Sequence, residues 1–137
     1  MKEKRSLADE LLEAWEETYK KGQLTLWIFL ALRRNSKYVS EIKEFIESRT
    51  EKSILCEEQS LYRALRKFQQ VDMVGFSPGK GKSGPDRKYY HLTPMGAEIL
   101  DQFIERNIEI FFRPEIKALL KSDIKTDQYK YLNNIKR

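Results

Sequence analysis

Between positions 57 and 71 the chain reads EEQSLYRALRKFQQV, and its polar side chains are of the kinds that recognise a polyanion. At about 100° per residue, Gln59, Tyr62, Arg63, Arg66, Lys67 and Gln70 share one side of a helix. Amide, phenol and guanidinium groups hydrogen-bond base edges, and guanidinium and ammonium groups pair with phosphates. Leu61, Ala64, Leu65, Phe68 and Val71 share the other side. The stretch therefore predicts an amphipathic helix. A solvated helix face is the plain reading of such residues in isolation, and the segments that follow alter it.

Next come VDMVGFS, PGKGKSGPD, RKYYHLT and PMGAEIL. The first and third are short and rich in β-branched and aromatic residues, as strands are. The second is a turn tract carrying Lys80 and Lys82, with no acid before Asp86. The fourth opens a helix, with Thr93 as its cap and Pro94 at the first helical position, where a missing N–H costs nothing. A helix, a hairpin with a basic tip and a capped helix, in that order, describe a winged helix-turn-helix with the hairpin as wing. Arg63, Arg66, Lys67, Lys80, Lys82, Arg87 and Lys88 are seven cations between 63 and 91 against Asp72 and Asp86, a local net of +5 that equals the balance of the whole chain.

On LYRALRKF (61–68), GPDRKYYHLTPMG (84–96) and LTLWIFLAL (24–32) the sequence resembles the PadR-like winged-helix transcriptional regulators, over about residues 23 to 110. It departs from that family's pattern at Cys56-Glu57-Glu58-Gln59-Ser60, where a Ser-Pro-Gly-Thr-like start is usual, and at Asp72, where a Gly commonly precedes the first wing strand. The resemblance implies a repressor; the surplus apolar surface of residues 7–19 and of the 95–112 helix predicts a homodimer, whose two-fold symmetry matches a near-palindromic operator. The resemblance further implies release by a small planar or aromatic effector at the dimer interface.

The rest of the chain must position these residues. At 137 residues it has the size of one domain. Residues 6–21 predict a helix capped by Ser6 and ended by Gly22, with Leu7, Leu11, Leu12, Trp15 and Tyr19 on one face and acids opposite. Residues 24–34 are apolar nearly all round and predict a central buried helix. Trp27 is read there as a core residue, with the wall of a ligand cavity as the alternative. Residues 39–49, with Ser40 as cap, predict the first helix of the helix-turn-helix. Ile54 and Leu55 in the connector predict a short strand pairing with the wing. Residues 94–112 predict a last long helix whose apolar face, including Ile104, Ile108 and Phe111, spans about half the circumference. EIKALLK predicts one further short helix, and a polar tail follows.

Several classes of function are excluded or disfavoured. No apolar run reaches transmembrane length, and MKEKRS followed by an acidic helix does not read as a secretory signal. A single cysteine forbids an internal disulfide and fits a reducing cytosol. A helix N-terminus lowers a thiol pKa, which makes a redox role for Cys56 conceivable, but a small buried residue is the favoured reading. His91 has no second His and no Cys pair to share a metal, so neither metal nor cofactor is expected. No phosphate loop opens a helix and no nucleophile–His–acid set has a local signature. The chain reads as a non-enzyme.

The expectations are therefore a mainly α fold with a small β-hairpin wing (α+β). It comprises an N-terminal helical extension for dimerisation (1–22), a winged helix-turn-helix DNA-binding domain (23–93), and a C-terminal dimerisation helix with a polar tail (94–137). Double-stranded DNA would meet Gln59, Tyr62, Arg63, Arg66, Lys67, Lys80, Lys82, Arg87 and Lys88. A second copy would meet Leu11, Trp15, Tyr19, Ile104, Ile108 and Phe111, with any effector cavity beside Trp15. No membrane contact is expected, and the location expected is cytoplasmic. A winged-helix module that binds protein rather than DNA remains open, and Glu57 and Glu58 lean towards it.

Overall fold

The computed structural model describes residues 5–81 and 84–121. Its elements are α1 (Leu7–Lys21), α2 (Leu24–Ala31), α3 (Val39–Arg49), α4 (Glu58–Gln70), β1 (Val74–Gly79), β2 (Arg87–Leu92), α5 (Pro94–Asn107), a 3-10 turn (Glu109–Phe112) and α6 (Pro114–Leu120). The expected mainly α fold with one antiparallel hairpin is present. Lys82 and the tail beyond 121 lie outside the described residues.

The core forms where α2, α3, α4, the hairpin and α5 converge. Ile28 and Phe29 of α2, Ile42 and Ile46 of α3, Leu61 and Leu65 of α4, Val74, Tyr90 and Leu100 are all buried. Full burial of each Leu or Ile stabilises by about 1.5–3 kcal/mol, so the spacing 61–65 fixes which side of α4 is hidden. Phe68 extends that side by packing its ring at a tilt against Phe29, ring centroids 4.8 Å apart. Val71, expected with the apolar group, caps the C-terminus of α4 and is exposed. Trp27 is half-buried and packs against the core.

Three local expectations are corrected. The cap of α3 is Tyr38, whose extended backbone precedes the helix and whose N–H donates to Glu41 Oε1 (3.2 Å); Ser40 already lies inside the first turn. Helix α2 ends at Ala31, three residues early, because Lys37 Nζ donates to the Ala31 carbonyl (2.5 Å) and the chain turns back towards the wing. The connector holds no strand. Ile54 fills the core while Leu55 is 70% exposed, and the Ile54 N–H donates to Thr50 Oγ1 (3.2 Å). Glu51 and Lys52 both take positive φ (52° and 64°), so the segment coils.

The hairpin's third neighbour is instead Lys37. Its N–H donates to the Tyr90 carbonyl (3.0 Å) and its carbonyl accepts from the Tyr90 N–H (2.8 Å). Within the hairpin Val74 pairs Leu92, Phe76 pairs Tyr90 and Gly79 pairs Arg87. Alternation sends Val74, Phe76 and Tyr90 to the core side and Arg87, Tyr89 and His91 to the other.

Thr93 and Gly96 lock the hairpin to α5. Thr93 Oγ1 accepts from the Gly96 N–H (3.0 Å) and donates to the Asp72 carbonyl (2.6 Å). Asp72 itself has φ +63°, a left-handed turn that Gly takes freely and that Asp, with a short polar side chain, tolerates. The departure at 72 therefore preserves the turn.

Helix α5 stops at Asn107, short of the expected 112. Asn107 Nδ2 donates to the Phe103 carbonyl (3.1 Å), competing with the backbone ladder. Ile108 then leaves helical geometry (φ −112°, ψ −47°) and a 3-10 turn follows. Helix α1 has the expected bounds, with Ser6 and Asp9 bonded reciprocally at its start. None of its residues is buried.

Candidate nucleic-acid interface

With Leu61 and Leu65 hidden, α4 must present Gln59, Tyr62, Arg63, Arg66, Lys67 and Gln70 outwards, and all six are exposed. The hairpin rises beside this face. Between them lies an open groove of about 770 Å³, walled by Tyr62, Arg66, Gln69 and Gln70 of α4, by Gly81, Asp86, Arg87 and Lys88 of the wing, and by Tyr38 and Ser40 at the start of α3. Tyr90 forms part of its floor, and burial raises that phenol's pKa.

Among the described residues, no ion pair neutralises the charge on this face. Among the described residues, the ion pairs are Arg5–Glu13 and Arg33–Asp101, both elsewhere. Arg63, Arg66, Lys67 and Lys80 therefore have no carboxylate partner among the described residues. Lys80 sits exposed just past the end of β1.

Two wing cations are more constrained than spacing suggested. The Arg87 guanidinium lies 4.2 Å from the centroid of Tyr38, and Tyr89 meets the same ring edge-on at 5.5 Å. Lys88 Nζ lies 4.6 Å from the centroid of Phe76. Such contacts contribute about 0.5–1 kcal/mol at exposed sites. The Arg87 and Tyr89 contacts with Tyr38 hold β2 against the start of α3, adding to the Lys37–Tyr90 bridge, while Lys88–Phe76 ties the two wing strands together. Sequence reasoning missed Tyr38 as a member of the site. An aromatic just before a helix was the available signal, but only the fold brings it to Arg87.

Cys56 is buried at the entrance to α4, with its N–H donating to Glu47 Oε2 (3.3 Å). Burial, and then the Glu47 carboxylate, push the thiol pKa up, opposite to the lowering that a helix N-terminus alone would bring. It is a packing residue. His91 lies half-buried on the outer strand face over Gly75.

The residues expected at a subunit interface fall into two groups. Leu11, Trp15 and Tyr19 are exposed along α1. Ile104 is half-buried against its own core, Ile108 is half-buried, and Phe111 is exposed in the 3-10 turn.

Two predictions arise here. Arg63→Ala should cost about 1–3 kcal/mol in binding to a preferred duplex and relax preference at one base pair. Equal weakening on every sequence would make Arg63 a phosphate contact instead. Lys80→Ala should lower the salt dependence of duplex binding by roughly one unit of slope, read from titrations between low and moderate salt. An unchanged slope would make Lys80 a solubilising residue only.

The model of the transcriptional regulator PadR-like family matches residues 28–102. A PadR-like transcription factor from Bacteroides fragilis is 26% identical, with 71% of this chain and 91% of that one covered at a TM-score of 0.58. A PadR-like transcriptional regulator from Bacillus cereus is 24% identical, covering 75% and 96% at 0.61. PadR of Bacillus subtilis, solved in complex with operator DNA, is 16% identical, covering 82% and 57% at 0.57. The likenesses to the two Bacillus proteins bear on the fold alone.

Proposed function

Because the chain belongs to the PadR-like family of transcriptional regulators, we propose that it is a sequence-specific repressor that binds a near-palindromic DNA operator as a homodimer. The observation that carries this reading is the outer face of α4. Its amides, phenol and guanidiniums are exposed, its cations have no carboxylate partner among the described residues, and it is continuous with the wing groove. The related fold of Bacillus subtilis PadR was solved on operator DNA, which supports duplex DNA as the partner of this face.

In this reading Gln59, Tyr62 and Arg63 enter the major groove, since the early turns of a recognition helix usually meet base edges. Arg66 and Lys67 lie nearer the phosphates, and Lys80 and Lys88 follow the backbone from the wing. Arg87 contributes first by bracing the wing through Tyr38. Residues 23–93 form the DNA-binding unit, flanked by dimerisation segments at 1–22 and 94–137. A small planar effector seated between the subunits near Trp15 would set the release. No helix among the described residues is long and apolar enough to cross a membrane, which fits a cytoplasmic regulator.

The test is a titration of the full chain with duplexes selected from a random pool. Saturable, sequence-dependent binding that weakens steeply with salt is the expected result. No duplex binding at low salt would sink the reading and favour the protein-interaction module, for which the acids Glu57 and Glu58 at the head of α4 are the supporting feature.

A further inference from the structure

Glu58 is the first residue of α4, and Ser40 Oγ in the first turn of α3 donates to its Oε1 at 2.7 Å. The helix dipole accounts for acids at the start of a helix, and it suffices for Glu57. It does not account for a second helix holding one carboxylate oxygen in place. The positions 58, 62 and 66 step by four, so Glu58 heads the stripe that continues through Tyr62 and Arg66. Those two residues and Ser40 wall the same groove. No Lys or Arg among the described residues forms an ion pair with Glu58.

We propose that Glu58, aimed by Ser40, reads a cytosine by accepting a hydrogen bond from its N4 amino group in the major groove. This rests on the DNA-binding reading above. A carboxylate only accepts, so it must face a donor, and the major groove offers two: cytosine N4 and adenine N6. Adenine presents the acceptor N7 beside N6, which repels a second carboxylate oxygen. Cytosine presents a C–H beside N4. With Oε1 engaged by Ser40, Oε2 is the oxygen left for the base. Ser40 is the positioning residue: its hydroxyl proton is used on Glu58, so it carries no base information itself.

The experiment is selection of duplexes from a random pool by the full chain in five forms: native, E58A, E58Q, S40A and S40T. The native chain should enrich cytosine at one position of each half-site, by roughly tenfold over the other bases. E58A should flatten that position and leave the others unchanged. E58Q should move the preference towards adenine, which an amide bonds in a bidentate manner. S40A should weaken the cytosine preference, and S40T, which keeps the hydroxyl, should restore it. The same motif from native and E58A would overturn the proposal. So would tighter binding of E58A to all sequences alike, the behaviour of a carboxylate that merely repels phosphate. If the native chain enriches no motif, the DNA-binding reading fails and this proposal fails with it.

Discussion

A variant with glutamate at both Leu11 and Trp15 is expected to be monomeric and to bind its operator on the order of 100-fold more weakly than the native chain. Trp15 is 73% exposed and Leu11 62%, with Leu7, Leu12 and Tyr19 exposed along the same helix. Contiguous apolar surface of this extent is rare on soluble monomers. A second copy would supply surface of matching character with its own α1 and the exposed Phe103 and Phe111. Two-fold pairing would set the two copies of α4 about 34 Å apart, one turn of duplex. The loss on dissociation is then the loss of a tethered second half-site. Neither substituted residue is buried, so the core should survive; glutamate at Ile104, which packs against its own core, would confuse the two effects. Sedimentation at micromolar concentration decides. A native chain that sediments as a monomer would end the dimer and the spacing together.

Gly96→Ala is expected to destabilise the fold by about 3 kcal/mol, lowering Tm by roughly 10 °C. A Cβ at this position would lie 2.0 Å from the Met73 carbonyl oxygen and 2.9 Å from its carbon. Both are backbone atoms, so no side chain can swing aside. The first turn of α5 and the residue before β1 would have to separate. The Thr93 hydrogen bonds to Gly96 and Asp72 span that same junction and would be strained with it. Because the junction sets how the wing leaves the core, the wing angle should change as well. Urea unfolding measures the effect, and a loss below about 0.5 kcal/mol, within the range of ordinary surface substitutions, would mean that the backbones part freely.

What was legible in the sequence was what periodicity and capping determine. Leu61 and Leu65 against Arg63 and Arg66 named the two sides of α4, and Ser6, Thr93 and Pro94 marked helix starts correctly. Illegible were features settled by competition between local and distant partners. Ile54-Leu55 has a strand's composition, yet Thr50 captures the Ile54 N–H and the turn at Glu51-Lys52 removes the extended backbone. The apolar rhythm from Ile99 to Phe111 runs on past Asn107, where the helix does not. At the site, the charged positions on α4 are exposed as expected. Which cation is free and which is stacked was not legible, because Arg87 meets Tyr38 from 49 positions away. The pairing of Ser40 with Glu58 was hidden for the same reason.

Helix α1 is capped at its start, fifteen residues long, and buries nothing. Helices of that length are marginal in water, because nucleation is costly and packing usually supplies most of their stability. The helicity of residues 7–21 is therefore linked by mass action to whatever covers the Leu11–Trp15 stripe. Ordering and association draw on one free energy, so each molecule that binds there contributes to folding the surface it binds. A chain made at low abundance would hold this segment partly uncoiled. On the homodimer proposed above, the concentration at which it winds up would set the threshold at which the regulator becomes competent.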